Sequence, residues 1–178
     1  MKFRKIKKHI TCLLLLLCVA FLNSCGLTEV SDRNNIRKTM DLIEESIDSK
    51  DKETFKAVFS PSVAKNVSEA DIEKVFDLFP SGITYEDTDS EDYPGTYESV
   101  EGEDYVKNLE WHKEVIDNST QKEYIMIINV CSENWNDESD IGMKYIIFYN
   151  VEQEESAVEW LHSVDEEELF EGIYIYGE

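Results

Sequence analysis

Tyr105-Val-Lys-Asn-Leu-Glu-Trp-His-Lys-Glu-Val115 decides the fold class, because its residues alternate in character. Tyr105, Leu109, Trp111 and Val115 face one way, and Asn108, Glu110, His112 and Glu114 the other. That period of two is expected of a strand with one face buried. The same period begins at Ile83. Further on, Tyr124 to Cys131 and Met143 to Val151 are apolar on both faces, as central strands are, and the polar stretch Ser132 to Asp140 joins them. Asn118, Ser119 and Thr120 supply the hairpin turn before the first of these runs. A weak helix from Glu154 to Val164, an acidic run and a short strand, Ile173 to Tyr176, complete the chain.

Toward the N-terminus the period lengthens. Ile36, Met40, Ile43 and Ile47 recur at steps of four, three and four, which puts them on one face of a helix. Phe55, Val58 and Phe59 repeat the pattern in a shorter helix ending near Ser60. Ser60 as cap and Pro61 as first helical residue fit a brief turn through Ala64. Ser68 with Asp71 resembles a capping box, and Ile72, Val75, Phe76 and Phe79 form the apolar stripe of the helix that follows, closed by Pro80, Ser81 and Gly82. Helices first and sheet second is an α+β order: N-terminal helices packed on a curved antiparallel sheet. Central strands apolar on both faces also allow a homodimer through the outer sheet face.

The first residues have a different character. Lys2, Arg4, Lys5, Lys7 and Lys8 precede an apolar run from Ile10 to Leu22. A bilayer-spanning helix needs about 20 residues, so this shorter run matches the apolar region of a signal peptide. It ends in Leu22-Asn23-Ser24-Cys25-Gly26, which resembles the lipobox of bacterial lipoproteins. The resemblance implies cleavage after residue 24, a diacylglyceryl group on the Cys25 thiol and attachment to a membrane outside the cytoplasm. At about 0.8 kcal/mol per buried CH2, two or more acyl chains hold a domain stably where one would not. Residues 25–34 then read as a lipidated tether and 35–178 as a single domain. Cys12 and Cys18 leave with the leader and Cys25 carries lipid, so Cys131 remains alone and no intramolecular disulfide can form. In its apolar run Cys131 reads as a small core residue.

Formal charge is −22 for the chain, and losing the five basic residues of the leader takes it to −27. Such a field repels phosphate backbones, so nucleic acid is not an expected partner, whereas cations and basic partners are favoured.

The phrase Asp51-Lys-Glu-Thr-Phe55-Lys-Ala-Val-Phe59-Ser-Pro61, with the helix-then-sheet order, resembles the nuclear transport factor two-like (cystatin-like) cone, in which a curved sheet wraps a long helix. With the lipobox and the terminal Gly172-Ile-Tyr-Ile-Tyr176, it looks like an uncharacterised family of bacterial lipoproteins, domain of unknown function 5104. The resemblance spans roughly residues 35–178. It implies a fold and an address, but no reaction and no catalytic residues.

Candidate chemistry is sparse. Asp87, Asp89, Glu91 and Glu98 stand at positions 1, 3, 5 and 12 of an EF-hand-like spacing, but Asp92 replaces the glycine such a loop needs at position 6. They read as a solvated loop rather than a calcium site. Glu110, His112 and Glu114 share one strand face, as a metal or an acid–base pair would want, yet that face most simply looks at solvent. Phe59, Phe76, Trp111 and Tyr124 read as core, and Trp135, in a polar loop, as an exposed contact residue. No phosphate loop, nucleophile elbow or Cys/His cluster is present, and no cofactor is expected. The expected function is therefore that of a membrane-anchored, non-enzymatic domain binding a protein or small molecule. A small cone enzyme with a cavity carboxylate and a calcium-dependent surface module are the alternatives.

Overall fold

In the computed structural model the described residues are 31–85, 95–101, 104–164 and 171–177. The leader, Cys25, and Asp87, Asp89 and Glu91 lie outside them. Residues 1–34 and 35–178 separate into two units, and the architecture below is that of the second. Residues 31–34, expected within the tether, are helical.

Helix α1, residues 35–49, turns Ile36, Met40, Ile43 and Ile47 fully inward. It stops where Lys50 adopts a left-handed φ of 56°. There the Asp51 N–H donates to Ser46 O at 3.0 Å and the Lys50 N–H to Ile47 O at 3.4 Å, the paired bonds that satisfy a helix C-terminus. Asp51 then caps α2, Lys52–Ala57, accepting from the Glu53 and Thr54 amides. The helical pattern had extended this element to Phe59. Instead it ends at Ala57, because Phe59 forms a parallel bridge with Met143. Ser60 caps α3, Pro61–Ala64, and Ser68 caps α4, Glu69–Leu78, where the Asp71 amide donates to Ser68 Oγ at 3.1 Å.

Among the described residues the sheet has six strands: β1 Ile83–Tyr85, β2 Gly95–Glu101, β3 Asp104–Asp117, β4 Glu123–Asn134, β5 Gly142–Asn150 and β6 Gly172–Ile175. Their order is β1-β3-β4-β5-β6, with β2 pairing β3 as well. β1 and β2 take opposite ends of one edge of β3. The turn at 118–120 is set by Asp117, whose carboxylate accepts the Ser119 amide at 2.9 Å, the Ser119 hydroxyl at 2.8 Å and the Thr120 hydroxyl. Most of the sheet is antiparallel, as expected. β6 departs from that pattern by pairing parallel to β5. A parallel neighbour requires a crossover, and α5, Glu154–Ser163, supplies it.

Alternation along β3, β4 and β5 sorts the apolar residues into two clusters. Leu109, Trp111, Val115, Met126, Ile128, Ile146 and Phe148 join the apolar faces of α1 to α4. Phe79 sits between layers, its ring 5.2 Å from Phe148 and 5.1 Å from Tyr124. On the opposite face Ile127, Ile147 and Tyr149 pack with Ala157 of α5, flanked by Trp160, Leu161, Tyr174 and Tyr176. The central strands are thus apolar on both faces because the chain covers both. Each fully buried large side chain contributes about 1.5–3 kcal/mol.

Candidate functional site

Glu110, His112 and Glu114 all lie on the outer face of β3. Cross-strand register places Glu110 beside Asn129 and Tyr145, and His112 beside Ile127 and Ile147. His112 Nε2 stands 2.9 Å from Glu110 Oε1, and the Tyr145 hydroxyl donates to the other carboxylate oxygen. Because a carboxylate only accepts, Nε2 carries the proton of that contact. The hydrogen bond from His112 holds the Glu110 carboxyl below its usual pKa. Burial opposes the shift and Tyr145 reinforces it. Glu114 continues the face, exposed, and no contact joins it to the pair among the described residues. The arrangement is a clasp from β3 to β5 across β4. Its polar atoms meet one another, and the imidazole looks out to solvent.

A second polar cluster was not legible in the sequence. The Ser62 hydroxyl donates to Asp140 Oδ1 at 2.6 Å, Lys144 Nζ reaches the same oxygen at 3.0 Å, and Asn134 Nδ2 donates to Oδ2 at 3.3 Å. Lys144 also lies 3.4 Å from Glu171. The hydrogen bond from Ser62 and the bond and charge of Lys144 keep Asp140 ionised. Burial works against the Lys144 ammonium, but Asp140 and Glu171 more than offset it. Nearby Cys131 is buried and free. Burial pushes its thiol pKa up, which keeps it protonated and a poor nucleophile. This cluster pins the start of α3 to β5. The pinning is tight at the main chain, where Ser60 N–H donates to Met143 O at 2.9 Å and Met143 N–H to Val58 O at 3.1 Å. The only advance signal was the Phe59-Ser-Pro61 phrase.

Of the EF-hand-like spacing, Glu98 alone is described. It lies exposed on β2, opposite Lys107 in register. Among the described residues, no group of three or more His, Cys, Asp or Glu side chains is placed to hold a metal ion. Phe59, Phe76 and Trp111 are buried as read, and Tyr124 is partly so. Trp135 is 71% exposed, its ring lying tilted against that of Tyr105 at 5.0 Å between centroids.

Concave surface gathers around β6. A groove of about 340 Å³ is lined by Asp71 and Lys74 of α4 with Ile173 and Ile175. Another of about 290 Å³ lies at the strand's end, where Lys122 and Glu152 join Tyr124, Phe148, Tyr149, Ile175 and Tyr176 among its lining residues. Ile175 lines both, so the two grooves adjoin the C-terminal end of β6. Trp160 of α5 backs Tyr176 and Tyr174 at 5.5 and 6.4 Å. A further concavity on α1 is lined by Asp41, Glu44, Glu45, Asp48 and Ser49. There burial, then the charges of Asp48 and Asp41, raise the pKa of Glu44.

Comparison with curated proteins and with solved structures gives no match for this chain. Residues 42–152 match the family described as Domain of unknown function (DUF5104), a span from α1 through the end of β5. That span includes the Phe59-Ser-Pro61 phrase, the Ser62–Asp140 contact and the outer-face pair. The chain belongs to the DUF5104 family.

Proposed function

We propose that this is an extracytoplasmic lipoprotein, cut before Cys25 and held at a membrane by acyl chains on that cysteine. Its folded part is read as a non-enzymatic binding domain of the nuclear transport factor two-like cone type. One observation carries the binding reading. The space between helices and sheet, where a cone enzyme would seat its substrate, is occupied by Ile36, Met40, Ile43, Ile47, Phe55, Phe79 and Phe148, all fully buried. The His112 imidazole and the grooves described above open instead to the outside, where a partner can reach them. The anchor reading rests on the basic start, the apolar run and the sequence around Cys25. No helix among the described residues is long and apolar enough to cross a membrane.

The test is the mass of the protein extracted from host membranes. The expected mass lacks residues 1–24 and carries a diacylglyceryl group on Cys25, and Cys25→Ser abolishes both changes. An unmodified, uncut Cys25 in membrane-extracted protein would sink the anchor reading.

A further inference from the structure

We propose that β6 is a docking edge that takes an extended, basic segment of a partner protein by strand addition. This inference rests on the binding-domain reading and names its surface and partner class. β6 is the last strand of the sheet, and no described strand pairs with its far edge. Its orientation follows from one bond, the Tyr176 N–H donating to Phe148 O at 2.9 Å. Main-chain groups point alternately to the two sides of a strand. Tyr174 and Tyr176 therefore face β5, and the N–H and C=O of Ile173 and Ile175 face outward. Those outward groups are a template for another strand.

Side-chain space lies beside the strand, in the groove that Ile173 and Ile175 line with α4 and in the groove at the strand's end. At about 3.3 Å per residue, the four residues of β6 accept about four residues of partner, with alternate side chains on the side of the groove that Ile173 and Ile175 line. The edge also lacks the usual guards, since Gly172-Ile-Tyr-Ile175 contains neither lysine nor proline.

Charge selects the occupant. Glu171, which precedes the strand, is engaged by Lys144 at 3.4 Å, but the sequence reads Asp165-Glu-Glu-Glu168 just before it and the chain carries −22 overall. Of the two lysines that line the grooves, Lys74 is matched by Asp71 at 3.0 Å, and Lys122 shares its groove with Glu152. A second copy would bring the same negative charge to the same edge, whereas a basic segment is drawn to it.

The experiment titrates the full chain, in a zwitterionic detergent, with a fluorescently labelled eight-residue peptide of alternating lysine and valine. Two controls accompany it: the same peptide N-methylated at every second residue, and one with glutamate in place of lysine. N-methylation keeps the charge but removes the hydrogen bonds of an added strand. The expected result is saturable binding, weakened at least tenfold by N-methylation, by the glutamate exchange and by Ile175→Pro. If Ile175→Pro loses its native circular dichroism, the N-methylated peptide alone decides. Equal binding of the two lysine peptides would reduce the effect to charge attraction and overturn strand addition, while leaving a binding domain in place. Absence of saturable binding, or self-association that Ile175→Pro dissolves, would also overturn it. The mass at Cys25 is read independently of every arm.

Discussion

Gly142→Ala is the most informative single change in this fold. Gly142 has φ of 131°, outside the range a side chain readily adopts, and a methyl group there would lie 2.8 Å from Ser60 Cα and 2.9 Å from Ser60 N. Both contacts are to main chain, which cannot swing aside as a side chain can. Backbone strain contributes about 2 kcal/mol. Pushing residues 58–60 away from β5 also breaks the Ser60–Met143 and Met143–Val58 hydrogen bonds, at about 1 kcal/mol each, so the total is about 4 kcal/mol. Gly172→Ala is the internal control. Its φ is 108°, but no atom lies within 4 Å of the added methyl, so only the strain of about 2 kcal/mol applies. Urea unfolding of both variants, with matched slopes, measures the difference. About 2 kcal/mol should separate them, or roughly 6 °C in Tm at about 3 °C per kcal/mol. Equal stability of the two variants would refute the claim that close approach of the Phe59-Ser-Pro61 segment, rather than φ alone, demands the glycine.

Lys50 donates through Nζ to Phe76 O at 3.0 Å and to Phe79 O, and its ammonium stands 5.3 Å from the centre of the Phe76 ring, closing the C-terminus of α4. Lys50→Met should cost about 2 kcal/mol in urea unfolding. Lys50→Gly should cost about 1 kcal/mol less, because it relieves the left-handed backbone while losing the same bonds. For pH, hydrogen bonds from Thr120 and Ser119 outweigh burial and hold the pKa of Asp117 below its ordinary value, as Ser62 and Lys144 do for Asp140. A carboxyl whose folded pKa lies below its unfolded one contributes fully above the ordinary carboxylate range and loses that contribution as pH falls through it. The urea midpoint should therefore drop as pH falls below about 5, and Asp117→Asn with Asp140→Asn should flatten the drop.

Much of the fold could be read in the sequence because its apolar spacing is regular. The four buried residues of α1, the capping serines and the alternation in β3 each state a period and a boundary. Reading failed where main chain, not side chain, sets the structure. Phe59 fits a helical stripe and is buried either way, so its spacing could not reveal that its backbone bridges to Met143. The parallel direction of β6 was hidden because a four-residue strand carries no register signal and a weakly amphipathic helix does not announce a crossover. For the polar clusters, a period of two placed Glu110 and His112 together. Tyr145 lies 35 positions from Glu110, and Asp140 lies 78 from Ser62, separations no local pattern spans.

The parallel pairing of β6 has a consequence for the order of assembly. The strand that covers the second edge of β5 follows it in the chain by way of α5, and it reaches its place only after α5 has crossed the outer face. Until then β5, Gly142–Asn150, presents an open row of hydrogen-bonding groups with Ile146, Ile147 and Phe148 at its centre. A chain in which β6 has not yet docked is thus most exposed to mispairing and aggregation at that edge, and Gly172–Ile175 acts as its built-in chaperone.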